Sequence, residues 1–388
     1  WDLSDDSLTC YGSYQTPRFW ALARAMSLGL PANKVRVVPQ PQGGAFGGKG
    51  GPRGTDIAAL LSRKSGGRPV KYIEDRMEYL LAGFGQSWDR YYDAALAVKA
   101  DGTVTGLKVK LIDDQGAGTE GWGTISVAKP LAAFTGAYRI EAAQYDTVLV
   151  ATNRAPTGPY RGYGPPPHFL VLESLMDMAA RRLGMDPAEL RRRNYIRPDQ
   201  FPYTIPSGNE YDSGNYEAVL DKVLAMSDYR GLRESQARWR ADGRLIGIGV
   251  VSTVEPGVFD WNAYATVGVQ GIGVPEGAKV AFDMLGNLTV VVGFNLQGQG
   301  QFTVAAQVAA DYWGLDLGAV KVASAPTDIG PPSFGQGGSR LGVAITGAVL
   351  GASEKLKAIF CQVVAHLMQT TPDQVELIGI TLDTIDRR

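Results

Sequence analysis

Three glycine-rich segments contain the residues of this 388-residue chain that are best suited to holding a ligand. They are residues 43–51, 298–300 and 335–338. Glycine lets the backbone approach a ligand closely and adopt positive φ values. The second and third segments each precede a predicted helix, and the first N–H groups of a helix attract anions. We therefore expect a large, flat, anionic ligand that is held mainly by backbone groups.

A loop rich in proline and glycine, residues 153–165, contains an arginine flanked by two tyrosines. Arg161 follows Tyr160 and precedes the Gly162-Tyr163 pair. Because the surrounding prolines and glycines restrict the backbone, the guanidinium is a fixed cation for an anionic or carbonyl ligand. The tyrosines offer an aromatic wall for a planar one.

The first glycine-rich segment also matches most of the phosphate-loop pattern. Gly43 and Gly48-Lys49 have the required spacing, but Gly50 stands where a serine or threonine would hold magnesium. A nucleotide-binding ATPase is therefore an alternative function, and the missing hydroxyl weakens it.

Composition excludes several classes of protein. There are 38 Lys and Arg against 39 Asp and Glu, so the net charge is −1 and the chain has no excess of positive charge for binding nucleic acid. No apolar run is long enough to span a membrane. The only cysteines and histidines, Cys10, Cys361, His168 and His366, are too few for an iron–sulfur ligand set or a zinc site. We expect no metal to be ligated by protein side chains.

Strands and helices alternate irregularly, which favours an α+β fold with mixed sheets. Helices are predicted over residues 17–25, 55–61, 173–183, 304–313 and 341–368, and another begins at Pro187. Thr16 and Asp186 are the expected N-caps of two of these helices. Hairpins are predicted at Asp101-Gly102, with a type I′ turn, and at Gly286-Asn287.

The chain is expected to contain two domains, residues 1–235 and 236–388, joined near the charged stretch 229–244. It begins without methionine or a recognisable targeting segment, and its last residues resemble the interior of a domain. We expect a piece of a larger cytoplasmic assembly.

In their order along the chain, these phrases resemble the molybdopterin-binding large subunits of the xanthine dehydrogenase, aldehyde oxidase and carbon monoxide dehydrogenase family, the molybdenum hydroxylases. The matching phrases are Tyr14-Gln15, residues 43–49, 155–164 and 188–194, Gly298-Gln299-Gly300, and Gly338-Ser339-Arg340. The resemblance covers essentially the whole chain. It implies cofactor-binding domains with the cofactor between two halves, and an incomplete C-terminal end of the second domain.

The resemblance also implies roles for individual residues. Molybdenum would be held by the dithiolene of a molybdopterin cytosine dinucleotide, with oxo, sulfido and hydroxyl ligands and no protein ligand. Gln15 would hydrogen-bond the oxo group and Arg161 would lie beside the cofactor, which makes these two the candidate catalytic residues. The expected cofactor-binding residues are Gly44, Phe46, Gly47, Arg161, Gly298, Gln299, Gly300, Gly338, Ser339 and Arg340.

Tyr163 would form a wall of the substrate funnel. Lys129 aligns best with the substrate-orienting arginine of the xanthine enzymes, so purine recognition is in doubt. Gly162 stands where copper-containing carbon monoxide dehydrogenases have a cysteine, which argues against CO as substrate. Gly50 replaces the glutamate that follows the lysine in xanthine enzymes.

The reaction implied is hydroxylation of an electron-poor carbon, in an aromatic N-heterocycle or an aldehyde, with water as the oxygen source. Electrons would pass to [2Fe–2S] centres and FAD on an iron–sulfur small subunit and an FAD-binding medium subunit. The Gly-x-Gly-Glu phrase of the family's catalytic glutamate is missing, so that residue and the N-terminal domain are expected from a further chain or segment. A CO-dehydrogenase-like enzyme of the cysteine-free form and a cofactor-free scaffold subunit remain as alternatives.

Overall fold

In a computed structural model of the chain, the described residues are 1–50, 54–82, 87–118, 122–257 and 275–376. The strands are β1 Leu8–Gly12, β2 Val35–Pro39, β3 Asp89–Val98, β4 Val104–Asp114, β5 Ala142–Val150, β6 Tyr203–Thr204, β7 Glu210–Tyr211, β8 Ala278–Phe282, β9 Leu288–Val292 and β10 Val320–Ser324. The helices are α1 Pro17–Leu28, α2 Gly54–Lys64, α3 Arg76–Ala82, α4 Trp122–Ala128, α5 Pro165–Leu183, α6 Pro187–Asn194, α7 Tyr216–Met226, α8 Tyr229–Ala241, α9 Gln301–Trp313 and α10 Leu341–Leu367.

The chain forms two compact units, each of which is discontinuous in sequence. The first unit consists of Trp1–Gln86, Pro159–Arg161 and Ile272–Arg388, and the second consists of Ser87–Gly158 and Gly162–Gly271. The first and last described segments, residues 1–50 and 275–376, therefore belong to the same unit. The domain boundary near residue 235 stays a prediction.

The first unit contains two small sheets. Strands β1 and β2 pair in parallel, and β9 pairs in parallel with β10 and antiparallel with β8. The inward side chains of β9, Leu288, Val290 and Val292, are fully buried against α9 and α10. Helix α9 connects β9 to β10, as a parallel pair requires.

The second unit is built on the sheet β3-β4-β5, in which β4 pairs antiparallel with β3 and parallel with β5. Leu107 and Val109 of the central strand pack with Leu172 and Met176 of α5 in its main core. The mixed pairing in both units confirms the predicted α+β class.

Local signals account for most helix ends. Asp186 caps α6 as predicted, since its carboxylate accepts hydrogen bonds from the N–H groups of Ala188 and Glu189. Helix α1 begins at Pro17 with Thr16 at the N-cap position, as predicted, although the Thr16 hydroxyl makes no capping hydrogen bond. Helix α5 begins at Pro165, earlier than the predicted residue 173, because proline is well tolerated in a first turn.

Both predicted hairpins form, but the first turn is not type I′. Only Gly102 of the pair has positive φ, at 89°, whereas type I′ needs two such residues. The Gly102 N–H donates to the Lys99 carbonyl, and the Lys99 N–H donates to the Thr103 carbonyl. The loop is therefore longer by one residue, with the glycine in the bulge position.

Candidate cofactor site

The glycine-rich loops of the first unit leave from the ends of strands. Residues 293–300 follow β9, and residues 325–340 follow its parallel neighbour β10. Carboxyl ends of neighbouring parallel strands lie at one edge of a sheet, which is where such folds bind ligands. Thr327 joins this edge to β2, because its N–H and hydroxyl bond the carbonyl and N–H of Val37 at 3.0 and 2.9 Å.

A chain of buried glutamine side chains connects all three loops. The Gln42 amide nitrogen donates to the Tyr14 carbonyl and to Gln336 Oε1, both at 2.9 Å. Gln42 Oε1 accepts from the Gln297 amide at 3.2 Å. The Gln336 amide in turn donates to the Asn295 carbonyl at 2.6 Å. The three loops that the sequence marks separately are therefore one connected structure.

Sequence reasoning missed Gln42, Gln297 and Gln336. Each is buried, with exposed fractions of 4, 7 and 3%. A signal was present, because each directly precedes a glycine of its loop. The recurrence of one long amide side chain at three glycine loops was the observation that could have found them.

Gln15 is held by the first and third loops. Its side-chain Oε1 accepts the Lys49 N–H at 3.2 Å, and its backbone N–H donates to the Lys49 carbonyl at 3.1 Å. The Gln336 N–H donates to the Gln15 carbonyl at 2.8 Å. Gly335 is required here, because a Cβ at that position would overlap the Gln15 carbonyl. The residue predicted to touch the metal's oxo group thus lies at the junction of two glycine loops.

The first loop does not have the structure of a phosphate loop. The Lys49 ammonium donates to the Gln42 carbonyl within the loop, and partial burial lowers the lysine pKa. The N–H groups of Gly48 and Gly50 donate to carbonyls of the loop itself, at 2.8 and 3.1 Å, whereas those of a phosphate loop surround the phosphates. Lys49 therefore stabilises the loop from inside.

Phe46 and Arg161 come together in the first unit. The Arg161 guanidinium lies 5.1 Å from the centre of the Phe46 ring, and both side chains are exposed. Phe46 has a φ of 56°, and the next residue must be glycine, because a Cβ on Gly47 would overlap the Pro159 backbone. Two residues that were predicted separately to bind the cofactor are therefore in contact, and their roles toward it stay predictions.

The backbone at two helix N-termini is open. Gly298 and Gly300 have φ values of 119° and 78°, and a Cβ at either position would meet nothing within 4 Å. Gly337, before α10, is equally open. The N-cap residues of α9 and α10, Gly300 and Arg340, make no side-chain capping hydrogen bond. Uncapped N–H groups beside open glycine backbone fit the phosphates and polar ring edges of a molybdopterin nucleotide.

Arg340 lies in this region but is paired inside the fold. Its Nη1 donates to Glu276 Oε2 at 2.7 Å and to the Gly335 carbonyl at 3.0 Å. The Ser333 hydroxyl donates to the other carboxylate oxygen at 2.6 Å. Both members of the ion pair are almost completely buried. Glu276, also missed from sequence, thus ties Arg340 to the third loop.

Two predicted substrate residues belong to the second unit. Tyr163 is half-buried with a φ of 51°. Lys129 is buried, and its ammonium lies 3.3 Å from Glu255 Oε1. Burial lowers the Lys129 pKa, although the Glu255 carboxylate opposes that effect. A substrate role for either residue stays a prediction.

Within the described ranges, no three His, Cys, Asp or Glu side chains converge to form a metal site. Among the helices that the structure describes, none has both the length and the apolar character that a membrane crossing requires.

Comparison with known proteins agrees with this geometry. Residues 1–195 and 222–385 each match a molybdopterin cofactor-binding domain. The nicotine 6-hydroxylase large subunit of Paenarthrobacter nicotinovorans is 31% identical over 97% of this chain and 46% of the relative. The carbon monoxide dehydrogenase large chain of Hydrogenophaga pseudoflava is 32% identical over 95% of this chain and 46% of the relative.

Among solved structures, quinoline 2-oxidoreductase from Pseudomonas putida 86 superposes with a TM-score of 0.90 and 29% identity, over 98% of this chain and 48% of that one. The chain thus spans about half the length of the relatives it matches. Two matched cofactor-binding domains, together with three joined glycine loops, establish that this chain belongs to the molybdopterin-binding large subunits of the molybdenum hydroxylases.

Proposed function

We propose that this chain is the cofactor-binding core of a multi-component molybdenum hydroxylase that oxidises an electron-poor carbon of an aromatic N-heterocycle or an aldehyde. The observation that carries the proposal is the set of three glycine loops, joined by buried glutamines, beside two uncapped helix N-termini. Nicotine and quinoline, named in two of the relatives, are both N-heterocycles.

When bound, the molybdenum cofactor supplies two-electron oxidation with an oxygen derived from water. The chain's own contribution is to bind and orient it. The open backbone of Gly298, Gly300 and Gly337 offers N–H groups to a polyanionic cofactor. Gln15 presents a carboxamide held by Lys49, and Arg161 presents an exposed cation beside Phe46. Gly44, Gly47, Gln299, Gly338, Ser339 and Arg340 complete the proposed cofactor-binding set.

The cytosine dinucleotide form of the cofactor is part of the proposal. So are an iron–sulfur subunit and an FAD subunit as electron acceptors, a cytoplasmic location, and a catalytic glutamate and N-terminal domain from outside these residues. The carbon monoxide dehydrogenase chain among the relatives supports multi-subunit organisation in the family.

Oxidation of CO by a cysteine-dependent site is disfavoured by the arginine loop itself. Gly162 has a φ of 91°, and a Cβ at this position would overlap Pro166. A cysteine side chain therefore does not fit after Arg161 in this loop conformation. A cysteine-free CO-oxidising enzyme remains the second candidate, supported by the 32% identical CO dehydrogenase chain.

The test is elemental and nucleotide analysis of the natively purified complex, followed by dye reduction with quinoline, benzaldehyde and CO as separate substrates. We expect about one molybdenum and one cytidine nucleotide per chain, and turnover with the heterocycle or the aldehyde. A freshly prepared complex that is replete in iron and flavin but lacks molybdenum would refute the proposed function. Turnover with CO alone would favour the second candidate.

A further inference from the structure

The glutamine chain has a fixed direction. Its acceptors at one end are the backbone carbonyls of Asn295 and Tyr14, which cannot donate. The amide nitrogens of Gln336 and Gln42 must therefore face them. The same order continues outward, from Gln42 Oε1 to the Gln297 amide, and from Gln297 Oε1 to the Gln299 amide at 3.2 Å. In each glutamine of the chain, from Gln336 to the exposed Gln299, the hydrogen bonds therefore decide which end of the carboxamide is the nitrogen.

Gln42 is the centre of this arrangement. Its side chain uses both amide hydrogens and its carbonyl oxygen, in bonds to Tyr14, Gln336 and Gln297. Its backbone N–H donates to the Leu296 carbonyl at 2.8 Å, and its carbonyl accepts from the Lys49 ammonium. A single residue is therefore bonded to the segment before Gln15 and to all three loops.

The three glycine loops lose much conformational entropy when they are fixed in one conformation, so other contacts must stabilise that conformation. Gly43, Gly44, Gly298, Gly300 and Gly335 all have positive φ, and glycine loses more conformational freedom on ordering than any other residue. If the loops were ordered only when a ligand arrives, that entropy would be subtracted from its affinity. Apolar side chains could fill the same space, but they would not fix the direction of the Gln299 amide.

We propose that Gln42 is a positioning residue that preorganises the cofactor site, by fixing the Gln15 segment and the three glycine loops in one arrangement before the cofactor binds. This inference rests on the proposed function. Gln42 is not placed against the cofactor itself. It acts through Gln15, Gln297 and Gln336.

The experiment compares Gln42→Met with a control of similar destabilisation elsewhere in the first unit. Methionine keeps the length of the side chain and removes its hydrogen bonds. The control is Ser353→Ala, because Ser353 on α10 is buried and accepts the Trp313 indole N–H at 3.1 Å. Each variant is purified as the native complex, and its Tm is recorded together with its molybdenum and nucleotide per chain over time.

For Gln42→Met we expect molybdenum to be lost about tenfold faster than from the wild type, which corresponds to about one buried hydrogen bond. Ser353→Ala should retain its molybdenum at the wild-type rate although its Tm is lowered. Equal loss rates from the two variants at matched Tm would show that Gln42 supports the fold alone, and would overturn the proposal.

Amide hydrogen exchange of the cofactor-free protein supplies a second measurement. In Gln42→Met, exchange should rise together in residues 42–49, 297–300 and 335–340, and unchanged exchange in any of them would overturn the proposal. If Gln42→Met does not fold, Gln297→Met replaces it, because it removes the bond from Gln297 to Gln42 Oε1; faster exchange in residues 297–300 supports the proposal, and unchanged exchange there overturns it. A wild-type complex without molybdenum would refute the proposed function instead. The exchange measurement would still test whether Gln42 holds the three loops in one arrangement.

Discussion

The Arg191 guanidinium is a buried cation of the second unit with several bonded partners, and its removal makes a quantitative test of the fold. Arg191 is fully buried on α6, and its Nε donates to Glu173 Oε2 at 2.8 Å. Its Nη1 donates to Asp177 at 2.8 Å, and its Nη2 donates to the Glu173 carbonyl at 3.2 Å. Glu173 itself is buried and also accepts the Tyr138 hydroxyl at 2.7 Å.

Arg191→Met leaves the Glu173 carboxylate buried without its cation, which costs about 3–5 kcal/mol of unfolding free energy. In a unit of this size each kcal/mol lowers the Tm by about 2–4 °C, so a fall of roughly 6–20 °C is expected. The neighbouring Arg192 is the matched control. Its bonds to Glu217 and to two other carboxylates lie near the surface, so Arg192→Met should cost about 1 kcal/mol or less.

Thermal unfolding followed by circular dichroism measures both variants. The double variant Glu173→Leu with Arg191→Met should recover most of the lost stability, because neither charge then remains buried without a partner. A fall in Tm for Arg191→Met no larger than that for Arg192→Met would refute the reasoning. So would a double variant less stable than the sum of the single changes predicts.

Three further predictions concern pH, ligand access and the arginine loop. Burial lowers the His168 pKa from 6.5 to about 4, so the unfolded state binds a proton before the folded state does as the pH falls. The resulting contribution to the free energy of unfolding, about 3 kcal/mol, is complete above pH 6.5 and is lost as the pH falls toward 4. This pH dependence should be absent from urea titrations of His168→Phe. Gly337→Ala should leave the free energy of unfolding unchanged or raise it by about 0.4–1 kcal/mol while reducing molybdenum content; Gly318→Ala, equally open but in the turn between α9 and β10, should keep full content. Arg161→Lys should lower kcat with little change in Tm, because lysine lacks the planar guanidinium that lies over Phe46; steady-state kinetics showing unchanged kcat would contradict that role.

Much of the local structure was predictable from the sequence, because its signals act over a few residues. Pro17 and the Asp186-Pro187 pair mark helix starts, and both hairpins form where a glycine-containing pair interrupts two apolar runs. The errors have equally local causes. The Asp101-Gly102 pair was assigned to a two-residue turn, although a one-residue-longer loop accepts the same dipeptide.

The candidate site was predictable only in part. Glycine loops, Gln15 and Arg161 are visible in the sequence, because backbone approach to a ligand demands particular residue types. The partners of these residues are not. Arg340 was predicted to bind the cofactor, which stays a prediction, and the structure pairs its guanidinium with Glu276, a carboxylate that no motif marks.

The sequence by itself determined the class of ligand and the family, since six ordered phrases and the scarcity of cysteine and histidine constrain both. Tertiary structure alone decided that residues 42, 297 and 336 form one hydrogen-bonded chain, and that the first and last described segments belong to one unit. The physical reason is the sequence separation between the residues that interact. Caps and turns depend on neighbours in sequence, whereas a buried amide must find its partner hundreds of residues away, and only the packed fold brings the two together.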